Sequence, residues 1–222
     1  MGGAPSVLND VVSRHCTAEF KRLCPKGRDF LVLSELRQLQ SIEDLPIDMN
    51  HLGTLFVLDA DRNGRVTLQE LMQFATMCAK KRKDFRQHEF PLQMKGFCTL
   101  CMFDAVTVEG EEAFVLWFTL LFSESHHVKT FADYPGVAFC SRDAAHTVHE
   151  VLQIDDNYGY DVQRFFDLCQ RTGEELGVMS IEDERLDELI PREALEMFAR
   201  SFIQGLLRLM THQLHFTPHP PQ

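Results

Sequence analysis

The chain has 222 residues, 45% of them hydrophobic and 25% charged, enough to bury a substantial core in one domain or in two small ones. Its formal net charge is −11, and so acidic a surface argues against a nucleic-acid partner. No apolar run approaches the roughly twenty residues of a membrane-spanning helix, and seven cysteines, an odd number with no secretory leader ahead of them, predict reduced thiols in a cytoplasmic protein.

The chain opens on Met1-Gly2-Gly3-Ala4-Pro5-Ser6, which satisfies the pattern for N-myristoylation of Gly2 once Met1 is removed. One acyl chain binds membranes only marginally without a second signal, and the first dozen residues carry neither a cysteine nor a basic cluster. A membrane is therefore a partner only if Gly2 is acylated, and otherwise residues 1–7 form a flexible N-terminus. A helical region begins near residue 8. Further on, FLVLSELRQL from Phe30 to Leu39 reads as a short strand running into a helix.

The next segment carries the strongest chemical signal. From Asp59 to Glu70 the chain reads DADRNGRVTLQE, with oxygen-bearing residues at the first, third, fifth, ninth and twelfth places and glycine at the sixth. A calcium loop needs six to eight oxygens, which here would come from Asp59, Asp61, Asn63, the Arg65 carbonyl, Thr67 and Glu70, with Gly64 at the sharp bend. Leu52, Leu55, Phe56 and Leu58 before the loop follow helical spacing, as do Leu68, Leu71, Phe74, Met77 and Cys78 after it. Val66, apolar and β-branched, suits a short strand by which two such loops pair. This helix, loop and helix resemble the EF-hand superfamily over roughly thirty residues.

The resemblance implies a partner hand one motif length upstream. An offset of thirty-five residues sets Leu31 under Val66, Glu35 under Glu70 and Leu36 under Leu71. The upstream loop from Cys24 to Glu35 nevertheless offers Cys24, Lys26 and Arg28 where the first three ligands belong, and its two cations would repel Ca²⁺. Residues 8–84 are thus expected to form an EF-hand pair, one hand degenerate and one binding a single calcium ion. Arg62 and Arg65 oppose the three loop carboxylates, so the predicted affinity lies in the sensor range, on the order of 10⁻⁷ to 10⁻⁵ M.

Lys80-Lys81-Arg82-Lys83 ends the exiting helix, where positive charge complements the helix dipole. A boundary follows between Asp84 and Pro91. Residues 92–210 read as a second helical domain, with helices over 92–105, 111–122, 144–152, 162–171 and 192–210, and turns at Gly110, Tyr134-Pro135-Gly136, Gly159, Gly173 and Gly177. Cys98 and Cys101 form a lone CxxC inside an apolar run, which reads as core thiols in preference to half a zinc site or a redox pair. His146 with His149, and His212 with His215, share helical faces but have no third ligand nearby. The run from Ala113 to Phe122 is either a buried helix or a groove for a partner helix. Asp155, Asn157 and Asp161 echo a third hand, but Gly159 sits one place early and Phe166 replaces the final carboxylate, so any further EF-like hand is degenerate. The tail, residues 211–222, carries three prolines and is expected to be disordered.

The fold class expected is therefore all-α. No phosphate loop, GxSxG elbow or HExxH motif suggests an enzyme. A calcium-responsive regulator, acting on a protein partner through an apolar helical surface, is the leading expectation. A structural adaptor holding its ion constitutively is the alternative.

Overall fold

A computed structural model of the chain describes residues 4–39, 48–49, 51–84, 88–107, 110–126, 129–130, 138–141, 171, 175 and 189–214. These are mostly helical, as the periodicity predicts, and among them no helix is long and apolar enough to cross a membrane. The chain divides into two compact units. The first comprises residues 1–102 and 120–125, and the second residues 103–119 and 126–222. The division runs through two helices and not through the linker expected at 84–91.

In the first unit, helix α1 (Ala4–Leu23) starts four residues earlier than expected, with Pro5 in its first turn, where a missing N–H costs nothing. It buries Val12, Cys16 and Phe20, spaced at four, and packs on helix α4 (Leu68–Lys81). Strand β1 (Phe30–Leu31) leads into the single turn α2 (Leu33–Leu36), and helix α3 (Leu52–Leu58) precedes the candidate calcium loop. Strand β2 (Val66–Thr67) closes that loop and pairs antiparallel with β1, Phe30 opposite Thr67 and Leu31 opposite Val66. That register is the one the thirty-five residue offset implies.

Helix α4 begins on a capping box. Thr67 Oγ1 accepts from the Glu70 main-chain N–H, and the Glu70 side chain accepts from the Thr67 N–H. Leu71, Phe74, Ala75 and Cys78 form its buried stripe, while Lys80 and Lys81 lie in its last turn. Helix α5 (Phe90–Thr107) buries Phe90, Met94, Cys98 and Met102, again at intervals of four. Leu121 and Phe122, near the end of helix α6 (Glu111–His126), complete the core of this unit.

In the second unit, an aromatic cluster joins the earlier part of α6 to helix α7 (Arg192–Leu214). Phe114 lies 5.6 Å from Trp117 and stacks on Phe202 at 6.1 Å, and Phe118 packs on Phe198 at 5.9 Å. Aromatic pairs at such separations contribute beyond their buried area. Arg200 reaches back from α7 to Glu111 and Glu112, at 3.2 and 2.7 Å. Trp117, Phe118 and Thr119 are buried, so this part of the 113–122 run is core.

A small antiparallel sheet, β3 (Lys129–Thr130), β4 (Ala138–Ser141) and β5 (Leu189–Pro191), also belongs to the second unit, with Phe139 opposite both Lys129 and Pro191. It departs from a purely helical reading. Its strands are two to four residues long, too short to show the alternation by which strands are recognised. Helix α7 continues through Leu214, four residues into the stretch expected to be a disordered tail. The expected helices 144–152 and 162–171 (save Arg171), the third-hand echo at Asp155 to Asp161, His146, His149 and the Gly2 acylation site lie outside the described residues.

Candidate metal centre

Three oxygens meet inside the loop. Asp59 and Asp61 stand at its start and Glu70 at its end, and one carboxylate oxygen from each lies within 4.8 Å of the others. Among the described residues this is the one group of three or more His, Cys, Asp or Glu side chains that converges so closely. The convergence is made by the main chain. Asp59 ends α3 and is wholly buried. Its Oδ1 accepts from Asn63 N at 3.2 Å and its Oδ2 from Gly64 N at 2.8 Å. Asp61 also accepts from Asn63, at 3.2 Å from the main-chain nitrogen and 2.7 Å from the side-chain amide. Asn63 Oδ1 in turn accepts from Arg65 N at 2.8 Å.

Glu70 is brought to the same point from the first turn of α4. Its Oε1 accepts from the N–H groups of Ala60 at 2.9 Å and Asp61 at 3.3 Å, and its Oε2 from Thr67 N at 2.9 Å and Thr67 Oγ1 at 2.8 Å. The five main-chain donors of Ala60, Asp61, Asn63, Gly64 and Thr67 thus point at three carboxylates. Such a nest of amides favours anionic side chains at its centre. It also curls the chain tightly enough to require two left-handed residues, Arg62 at φ +62° and Gly64 at φ +79°.

Gly64 is required for a second reason. A Cβ there would lie 2.7 Å from the Leu120 carbonyl carbon and 2.9 Å from Leu121 N, so the backbone of α6 abuts the loop. Nothing in the twelve-residue pattern signals that contact, because its other half lies fifty-six residues away in sequence.

The two loop arginines behave differently from one another. Arg62 curls back to the end of α3, donating from Nη1 to the carbonyls of Phe56 and Asp59, with its guanidinium 3.5 Å from the Phe56 ring centre. Burial lowers its pKa, while the charges of Asp59, Asp61, Cys101 and Glu70 act to raise it. Arg62 is therefore a cation within electrostatic reach of all three carboxylates. Arg65 lays its guanidinium over the Phe30 ring, 4.5 Å from its centre.

The upstream loop shows what stands in for its lost ligands. Arg28, at the fifth place, forms an ion pair with Glu35, at the twelfth, and its Nε donates to the Phe30 carbonyl at 2.9 Å. Cys24 Sγ donates to the carbonyls of Arg28 at 3.1 Å and Phe30 at 3.4 Å, and Gly27 takes φ +86°. A guanidinium tethered to the chain thus faces Glu35, the one carboxylate at a ligand position of this loop. The hint lay in the sequence, a cation at a ligand position beside an intact twelfth-place glutamate.

The other candidate ligands fare less well. Cys98 is buried and Cys101 half-buried; neither is in a disulfide, and neither joins a three-ligand group among the described residues. Burial pushes the Cys78 thiol up to about 12 and that of Cys98 to about 11, where neither is an available thiolate at neutral pH. No family model, no curated protein and no solved structure matches the chain.

The six residues singled out in the sequence fit a hard cation. Asp59, Asp61, Asn63, Thr67 and Glu70 offer oxygen donors only, the Arg65 carbonyl supplies a main-chain oxygen, and none of the six is a soft ligand.

Proposed function

We propose that the chain is a calcium-binding regulatory protein whose loop of residues 59–70 forms the binding half of an EF-hand pair. The observation that carries this reading is the convergence of Asp59, Asp61 and Glu70 within 4.8 Å, in a turn held by Gly64 and ended by the Thr67–Glu70 capping box. Three carboxylates so close repel one another, and a divalent ion among them relieves that repulsion. Asp59, Asp61, Asn63, the Arg65 carbonyl, Thr67 and Glu70 would hold the ion. The residues 24–35 would form the scaffold half, with Arg28 against Glu35 making a second ion unnecessary.

A sensor hand answers its ion by changing the angle between its helices and exposing apolar surface. Here α3 and α4 flank the loop, and their buried faces include Leu55, Phe56, Leu71 and Phe74. The partner would be a protein that reads this surface; no catalytic role is proposed, and the setting is cytoplasmic, with membranes involved only if Gly2 is acylated. The Gly64 contact with Leu120 favours a responsive ion over a static one, because α6 rests directly on the loop.

The test is isothermal titration of Ca²⁺ into the full chain at physiological Mg²⁺, with Trp117 fluorescence followed in parallel. One ion bound at micromolar concentration with a change at Trp117, three residues before Leu120 on α6, is the expected result. Binding with Trp117 silent would support a structural ion and an adaptor, and absence of binding would overturn the assignment.

A further inference from the structure

Helix α5 lies against the helices of the proposed calcium hand, and its seat is built in two distinct ways. At Gly53, in the first turn of α3, two backbones touch: a Cβ there would fall 2.9 Å from the Cys98 carbonyl carbon and 2.9 Å from Thr99 N. Next to it, His51 joins the same two helices through its ring. Its Nδ1 accepts from Thr54 N at 3.3 Å as the N-cap of α3, which leaves Nε2 to donate to Thr99 Oγ1 at 3.2 Å. The Thr99 hydroxyl passes its own proton to the Lys95 carbonyl at 2.9 Å, and the Thr54 hydroxyl hydrogen-bonds the Cys98 thiol.

Beside these contacts the seat is partly open. A pocket of about 230 Å³ remains between Thr54 of α3, Phe74 and Cys78 of α4, and Phe90, Met94 and Cys98 of α5. The pocket is partly open to solvent, with the exposed Leu92 at its edge. Elsewhere on α5, Gln93 Oε1 is buried without a hydrogen-bond partner, which costs free energy. The outer edge of α5 is apolar too, with Leu92 76% and Leu100 62% exposed and nothing within 4 Å of a Cβ placed on Gly96 between them. Helix α5 is thus held by one buried stripe, Phe90, Met94, Cys98 and Met102, beside a partly open pocket, with a second apolar edge in solvent, and an element held on one face alone lies toward the low-stability end of a fold.

We infer that α5 is a releasable internal ligand of the hand, seated across α3 and α4 and covering the apolar surface that a partner helix would otherwise contact. The inference rests on reading residues 59–70 as a calcium site. The seat draws on both flanking helices, His51, Gly53 and Thr54 from α3, Phe74 and Cys78 from α4. A change in the angle between α3 and α4 therefore cannot leave it intact. Calcium binding and α5 docking oppose one another, and a partner of similar apolar, helical chemistry competes with α5 for one surface.

Cys78 of α4 and Cys98 on the buried face of α5 line the seat, whereas the buried Cys16 lies on α1. Pulsed N-ethylmaleimide labelling of the full chain, read site by site by peptide mass spectrometry with Ca²⁺ or with chelator, measures release directly. Calcium is expected to raise the labelling rates of Cys78 and Cys98 at least tenfold while Cys16 stays slow. In chelator, Gly53→Leu should produce the same pair of fast thiols, because its side chain meets the α5 backbone. Should that variant unfold, shown by fast labelling of Cys16 as well, Thr99→Val removes only the His51 tie and should accelerate Cys98 severalfold. Calcium bound by titration with unchanged Cys78 and Cys98 rates overturns the coupling and leaves the calcium site standing. No calcium bound overturns both, and unchanged rates in both variants overturn the seat itself.

Discussion

The loops at residues 24–35 and 59–70 end on one shared device. In each, the twelfth-place glutamate accepts from the main-chain N–H three residues earlier, Glu35 from Val32 and Glu70 from Thr67, at 2.9 Å in both cases, and a helix follows. Strands β1 and β2 tie the loops together at Leu31 and Val66. They part in how the glutamate's charge is met. Glu35 faces the guanidinium of Arg28, a cation that is covalently attached and cannot leave. Glu70 faces Asp59 and Asp61, so its loop concentrates negative charge that main-chain N–H groups answer only in part. A loop with a built-in cation folds once and stays, whereas a loop of converging carboxylates responds to whichever cation arrives. On the proposed reading that difference separates scaffold from sensor, and it is set at the first, third and fifth places, Cys24, Lys26 and Arg28 in one loop and Asp59, Asp61 and Asn63 in the other.

The sharpest way to break the comparison is to neutralise each glutamate in turn. Glu70→Gln removes a charge and a proposed ligand, and losing one partner of a close buried pair costs about 3–5 kcal/mol, or roughly two to nearly four decades in calcium affinity. Titration calorimetry should record that loss while far-ultraviolet circular dichroism stays that of the parent. Glu35→Gln should leave one ion bound at the parental affinity. Equal losses in the two variants would mean that the loops are not divided as proposed.

Glycine gives the next largest contrast. Gly64→Ala carries a left-handed penalty of about 1–2 kcal/mol, and its Cβ also falls 2.7 Å from the Leu120 backbone, adding about 1–3 kcal/mol of overpacking. Gly27→Ala meets nothing within 4 Å and carries the conformational penalty alone. Thermal unfolding without calcium should place Gly64→Ala well below Gly27→Ala. Equal midpoints would show that the contact of α6 with the loop contributes nothing.

These contrasts also mark how far the sequence can be read. The convergence of Asp59, Asp61 and Glu70 was legible because the proposed ligands fall within twelve consecutive residues, so their geometry is set by local turns and one capping box. The Leu31–Val66 register was legible because the two segments align at an offset that can be counted. By contrast, the contacts of Gly64 with Leu120 and of Gly53 with Cys98 join distant segments, and a glycine looks the same in sequence whether or not another backbone rests on it. Strands β3 to β5 escaped because a two-residue strand has no period. Helices α5 and α6 were placed within four residues at each end, but the unit boundary inside them was not, since at Met102 and Leu120 it falls within apolar helical stretches with no glycine or proline to mark it.

Arg28 tests the scaffold half. Arg28→Met removes the cation from Glu35, both side chains being largely shielded, and should lower the unfolding free energy by about 1–3 kcal/mol. Calcium stoichiometry should remain one, because Cys24 and Lys26 still occupy the first and third places. A second ion appearing in this variant would make Arg28 a simple plug in an otherwise competent site.

The smallest effect has the opposite sign. Arg62 places a positive charge near Asp59, Asp61 and Glu70, so it weakens the field an entering cation feels, yet its hydrogen bonds to Phe56 and Asp59 secure the end of α3. Arg62→Gln should therefore tighten calcium binding by about 1 kcal/mol, roughly fivefold at low salt, while lowering the melting temperature of the calcium-free chain. The gain should shrink as ionic strength rises, since Arg62 is only partly buried. Weaker binding in Arg62→Gln would assign Arg62 to shaping the loop, with its charge of no consequence. The tethered cations of the two loops would then differ in kind, Arg28 neutralising a carboxylate and Arg62 only bracing a turn.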